Sequence, residues 1–126
     1  GLGVYGLNEI IIYLKNNVVD TIIVTDKIGL YRIEAKCNRC NDTQEKIIEQ
    51  AKVIRTKTEL ANSPCSSCKS LDIEVSEQDI VDYLSILGAK LGTKIEVISG
   101  VSEYGVMVSN LGNIGAILRY NPNYTN

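Results

Sequence analysis

Apolar positions along the chain switch between a helical and an alternating rhythm. Leu7, Ile10, Ile11 and Leu14 fall at i, i+3, i+4 and i+7, which predicts an amphipathic helix from about Gly6 to Asn16, stopped by Asn16-Asn17. Val18 to Thr25 is short, β-branched and bounded by Asn and Asp, the pattern of a buried strand. Gly29 to Lys36 alternates apolar with polar and leads directly into Cys37, as a half-exposed strand would. The charged stretch Asp42 to Lys57 fits either a helix around Glu45 to Lys52 or strands of a small ribbon. Leu71 to Val75 alternates again and reads as a strand.

A second clear helix follows. Ser76-Glu77-Gln78-Asp79 resembles a capping box with Asp in place of Glu, and Ile80, Tyr83, Leu84, Leu87 and Leu91 form its apolar stripe. Gly92 stands where a C-terminal glycine belongs. Thr93 to Ser99 alternates as a strand. Between Ser102 and Leu111 two signals compete: Val106-Met107-Val108 has strand propensity, while Ser102-Glu103 starts and Gly112 ends a short helix. Ile114 to Tyr120 is a final strand stopped by Pro122. This order of helices and strands predicts an α/β fold, a layered sandwich with a central sheet, carrying an insertion near Arg32 to Asp72.

Composition narrows the function classes. At 126 residues the chain reads as a single domain. No apolar run approaches the ~18–20 residues a membrane span needs, and no segment reads as a signal peptide, so a cytoplasmic protein without membrane contact is expected. The formal charge of −2 argues against a dedicated DNA- or RNA-binding module. The absence of histidine excludes Ser-His and Cys-His catalysis and His-ligated metal sites. The chain opens on Gly1 rather than Met, which reads as a cut point in a longer factor.

The four cysteines carry the chemistry. Cys37-Asn38-Arg39-Cys40 and Cys65-Ser66-Ser67-Cys68 are two C-x2-C pairs with 24 residues between them. Two residues between cysteines let a tight turn aim both sulfurs at one point, and two facing turns complete a tetrahedron. Asn41 after the first pair tolerates the left-handed backbone such a turn needs, and Pro64 stiffens entry to the second. The reading is one structural zinc ion on Cys37, Cys40, Cys65 and Cys68; disulfides, redox chemistry and an iron–sulfur cluster are the competing uses. Residues 32–72 carry +2 and the remainder −4, so the insertion's lysines and arginines partly offset the charge of a four-thiolate zinc site.

Tyr5-Gly6-Leu7-Asn8-Glu9-Ile10, Val24-Thr25-Asp26, the two C-x2-C pairs, Glu96-Val97-Ile98-Ser99 and Gly112-Asn113-Ile114-Gly115-Ala116-Ile117-Leu118-Arg119-Tyr120 follow in a characteristic order. In that order the whole chain, 1–126, resembles the C-terminal domain of class-1 peptide chain release factors of the archaeal and eukaryotic type; the paired cysteines look more like the archaeal branch. The resemblance implies a fold similar to the kink-turn-binding ribosomal proteins, with a central mixed sheet and an inserted zinc-ribbon minidomain over 32–72. It implies a role in translation termination as a binding domain for a translational GTPase, either elongation factor 1-alpha or the class-2 release factor, acting on the ribosome within the intact factor. It associates Gly115, Ile117, Leu118, Arg119 and Tyr120 with GTPase binding. The Gly-Gly-Gln motif that promotes peptidyl-tRNA hydrolysis is absent from this chain, and so is a stop-codon-reading Asn-Ile-Lys-Ser, so a non-catalytic domain is expected. The family usually has two glycines where Gly112-Asn113 stands, and Asn113 supplies the positive φ of the second. The resemblance also favours the helix over Ser102 to Leu111.

Simpler or rival readings stand beside these. Zinc staples a lobe too small to hold a core alone. The last strand is a core strand with Ile114, Ala116 and Leu118 on one side and Gly115, Ile117 and Arg119 on the other. Glu74, Glu77, Asp79 and Asp82 are helix-start and surface carboxylates rather than an acid/base pair. The alternative functions are the C-terminal domain of a Pelota-like ribosome-rescue factor and an RNA-binding zinc-ribbon protein.

Overall fold

The computed structural model describes residues 3–120; Pro122, the expected strand stop, lies outside them. The described residues form two compact units, one made of residues 3–28 with 84–120 and the other of residues 29–83. The fold is mixed α/β.

The first unit is built on a four-stranded mixed sheet in the order β1-β7-β2-β6. Its strands are β1 (Gly3–Tyr5), β2 (Val19–Thr25), β6 (Lys94–Ile98) and β7 (Ile114–Leu118). β2 runs parallel to β6 and antiparallel to β7, which also pairs antiparallel with β1. β2 is buried at every position but Asp20, because it lies inside the sheet, and its β-branched run suits that place. Register puts Ile22, Val24, Ile114 and Ala116 on one face and Thr21, Ile23, Gly115 and Ile117 on the other. Helix α1 (Leu7–Lys15) buries Ile10, Ile11 and Leu14, the stripe its spacing predicts, and lies over β1, β2 and β7. Helix α3 (Ile80–Leu91) reaches the Ile22 face: a Cβ on Gly88 would sit 3.3 Å from Ile95, the register partner of Ile22.

Helix α4 (Glu103–Ser109) covers part of the opposite face. The helical reading of this segment holds over its strand propensity, for two visible reasons. Ser102 Oγ accepts the Gly105 N–H at 3.0 Å, closing the N-terminus. Gly105 lets the helix seat against Ser99, whose carbonyl oxygen would lie 1.8 Å from any Cβ there. The turn into β7 uses Gly112 at φ 96 and Asn113 at φ 68, so Asn113 adopts the left-handed backbone expected of it. Asn113 Oδ1 also accepts from Thr25 Oγ1 at 2.7 Å.

The second unit is a three-stranded antiparallel sheet, β4-β3-β5, from β3 (Leu30–Cys37), β4 (Thr43–Glu49) and β5 (Ile73–Asp79). Helix α2 (Val53–Ala61) packs on β3 and β5. Ile33, Ala35, Val53 and Leu60 form its core, edged by Tyr31, Ile48, Ile73 and Val75. The ambiguous charged stretch is therefore strand up to Glu49, and its helix starts only at Val53, beyond a short 3-10 turn. On the other face Arg32 bonds Glu34 at 2.9 Å and Glu45 at 2.6 Å and stacks 4.6 Å from the Tyr83 ring centre.

The capping box at Ser76 is not formed. Pairing of β5 with β3 continues to Asp79, opposite Tyr31, so Ser76, Glu77 and Gln78 are held extended. The cap is Asp79 itself, whose Oδ1 accepts the Val81 N–H at 2.8 Å. Strand pairing with a neighbour outcompeted a local side-chain signal.

Candidate metal centre and partner-binding face

The two C-x2-C turns have the same backbone design. In the first, Cys37 N–H donates to the Asp42 carbonyl and Asn41 N–H donates to the Cys37 carbonyl, both at 2.9 Å. In the second, Cys65 N–H donates to the Ser70 carbonyl at 2.8 Å and Lys69 N–H to the Cys65 carbonyl at 2.9 Å. The residue after each second cysteine is left-handed, Asn41 at φ 62 and Lys69 at φ 64. The turns also hold each other. Asn38 Nδ2 donates to Asp72 Oδ1 at 3.0 Å, and Ser67 Oγ donates to Asp42 Oδ2 at 2.9 Å.

All four sulfurs lie within 4.8 Å of one another, Cys37 to Cys68 at 3.5 Å and Cys40 to Cys65 at 3.6 Å. They are free thiols, Cys37 and Cys65 buried, Cys40 and Cys68 exposed. Zn–S bonds of about 2.3 Å place the sulfurs of a tetrahedral site about 3.8 Å apart, so this donor set fits a four-thiolate ion with little movement. The electrostatics agree. The Cys40 backbone N–H, joined by that of Arg39, holds the Cys37 thiol down at about 6. The N–H groups of Cys68 and Ser67 lower Cys65 in the same way. Cys40, although the Asp42 N–H favours its thiolate, is pushed up to about 12 by partial desolvation of an otherwise exposed residue and by the Cys65, Cys68 and Cys37 sulfurs.

The last strand presents a different kind of surface. Gly115 is buried under Tyr5: a Cβ there would stand 3.0 Å from the Tyr5 ring. Ile117 is 45% exposed on the same face. With Ile23 and Tyr104 they line a groove between β1, β7 and α4. Leu118 is buried on the opposite face, and Tyr120 is exposed. Arg119 is occupied internally. Its Nε donates to the Val19 carbonyl at 3.1 Å, Nη1 to Asn17 Oδ1 at 3.0 Å and Nη2 to the Leu91 carbonyl, at the end of α3, at 2.8 Å.

Residues 1–122 match the family model described as eRF1 domain 3. The chain belongs to this family. It is 36% identical over 121 residues to peptide chain release factor subunit 1 of Methanocaldococcus jannaschii, covering 95% of this chain and 29% of that protein. The chain thus spans under a third of the length of that relative. The solved C-terminal domain of a peptide chain release factor from Methanosarcina mazei superposes with a TM-score of 0.77 at 26% identity, over 98% of this chain and 74% of that one. Pelota from Archaeoglobus fulgidus shares the fold, with a TM-score of 0.51 at 18% identity, over 98% of this chain and 25% of that one.

Within this eRF1 domain 3 chain, the four carboxylates near the second helix do not converge. Glu74 lies on the opposite side of β5 from Glu77, which bonds Lys57 at 2.8 Å, and Asp79 caps α3. The residues missed in the sequence are those contributed by neighbours distant along the chain. Tyr5 and Tyr104 join Ile117 only through sheet pairing and α4 placement. Lys69 gave no signal, because a lysine in a left-handed turn is unlike the Asn that marked the first turn.

Proposed function

We propose that this chain acts in translation termination as the GTPase-binding domain of a class-1 release factor, non-catalytic by itself and cytoplasmic, with elongation factor 1-alpha or a class-2 release factor as its partner and the ribosome as its setting. The observation that carries the reading is the eRF1 domain 3 match over 1–122. The segment Gly115, Ile117, Leu118, Arg119 and Tyr120 supplies the partner face in two roles. Ile117, flanked by Tyr5 and Tyr104, offers exposed apolar surface to a partner. Leu118 and Arg119 fix the strand from behind and from its end.

In the same reading Cys37, Cys40, Cys65 and Cys68 hold one structural Zn²⁺ that staples an inserted minidomain, residues 32–72. Support comes from the sulfur spacing and the matched turns. The archaeal relatives support elongation factor 1-alpha as the GTPase to test first.

The test is calorimetry of the chain against GTP-bound archaeal elongation factor 1-alpha. Ile117→Asp should weaken binding by at least about tenfold, as loss of a central apolar contact does, with an unchanged melting temperature. Failure of the wild-type chain to bind any translational GTPase overturns the proposal. A Pelota-like reading is favoured only by the shared fold, and an upstream sequence without a Gly-Gly-Gln motif would decide for it.

A further inference from the structure

We propose that the sulfur pairs crossing between the two turns, Cys37 with Cys68 and Cys40 with Cys65, form an oxidation site for low-molecular-weight disulfides, closing to two protein disulfides in that connectivity. The proposal rests on the sulfur positions and holds whether or not a metal lies among them.

Two observations select this pairing. These are direct sulfur–sulfur contacts, at 3.5 and 3.6 Å, and each joins one turn to the other. Each pair also combines an exposed cysteine with a buried one; the within-turn pairs do the same, so the sulfur contacts decide against those and exposure decides against pairing Cys37 with Cys65. A reagent enters at an exposed sulfur, and a neighbour must then resolve the mixed disulfide. Pairing Cys37 with Cys65 would join two buried sulfurs, leaving no entry point on that side. Meanwhile the Asn38–Asp72 and Ser67–Asp42 bonds keep the turns facing each other, so the cross pairs stay in register during the reaction.

The chemistry balances as ordinary exchange. The Cys68 thiolate attacks one sulfur of the small disulfide and expels one small thiolate, giving a mixed disulfide. The Cys37 thiolate attacks the Cys68 sulfur, the mixed disulfide breaks, and the second small thiolate leaves. Two cysteine sulfurs are oxidised and one small disulfide is reduced to two thiols; the protons released by the cysteines pass to the departing thiolates. Cys40 and Cys65 repeat the sequence with a second reagent molecule. Both products link turn to turn, so oxidation replaces the cross-link a metal provides, and any ion the thiolates hold is set free.

The test uses the folded chain and 2-hydroxyethyl disulfide as the probe. Metal content is measured first by mass spectrometry; the chain is then chelated, oxidised, alkylated and digested with trypsin without reduction. Cleavage after Lys36, Arg39, Lys46, Lys57 and Lys69 separates peptide 37–39 from 40–46 and leaves Cys65 and Cys68 together in 58–69. The expected product joins all three peptides, and fragmentation between Ser66 and Ser67 finds Cys65 with 40–46 and Cys68 with 37–39. A product joining only 37–39 to 40–46, a reversed assignment, or four alkylated cysteines each overturns the proposal. A chain free of metal as purified would sink the zinc reading alone, since the disulfide map is read independently of it.

Discussion

The two units solve the stability problem in different ways. The first buries Ile10, Leu14, Ile22, Val24, Leu84 and Ile114 almost completely, and Val108 of α4 is 2% exposed. The second centres on the smaller cluster of Ile33, Ala35, Val53 and Leu60, ringed by partly buried neighbours. A core that small supplies little of the hydrophobic free energy needed to offset chain entropy. The second unit is also the one that carries four sulfurs in one place. Aliphatic burial dominates the first unit, while the second sets a smaller core beside four sulfurs spaced to suit a metal ion.

The strongest way to break this contrast is to remove a sulfur. Cys65→Ser, or chelation of the wild type, should cost the second unit more than about 4 kcal/mol, the range of a lost structural metal. Amide exchange should rise across β3, β4 and β5 while β2 and β7 keep their protection. Uniform loss across both units would show that the cross-link serves the whole chain. Next in size is Gly105→Ala, which drives a methyl group into the Ser99 carbonyl and should cost about 3 kcal/mol, read as a lower melting temperature. That change should leave the sulfur cluster intact, as judged by metal stoichiometry. Arg119→Ala removes three side-chain hydrogen bonds and should cost about 2 kcal/mol. Set against Ile117→Asp, it separates holding the strand from meeting a partner: the first lowers melting temperature, the second lowers affinity.

The same division decides what was legible in the sequence. Elements whose signal is local and whose burial follows from it were readable: the α1 stripe, the β-branched β2, and the C-x2-C pairs. Readings failed, stayed open or were missing where a neighbour distant in sequence set the conformation. Ser76 looks like a cap until β3 pairs with β5 through Asp79. The stretch around Glu45 to Lys52 reads as helix or strand alike, and pairing with β3 decides it by holding Thr43 to Glu49 extended. β1, three residues long, exists because β7 offers it an edge. The candidate metal cluster was legible because turn chemistry is local. Of the groove beside β7, the sequence reading named only Gly115 and Ile117, since Tyr5 and Tyr104 reach it through tertiary structure.

The smallest effect tests whether the two turns are equivalent. Asn41 and Lys69 occupy the same left-handed position, at φ 62 and φ 64. Asn pays little there because its short polar side chain suits the region, whereas the Cβ of lysine crowds the following carbonyl. Glycine removes that crowding but has more freedom to lose on folding, so the two effects oppose each other. Where the native φ is already positive, relief of strain wins. Lys69→Gly should therefore stabilise the second unit by roughly 0.5–1 kcal/mol, measured as a higher denaturant midpoint with an unchanged slope. Asn41→Gly should move the midpoint much less. Equal gains at both sites would mean that the turns carry the same strain, and that lysine is tolerated for reasons other than the backbone.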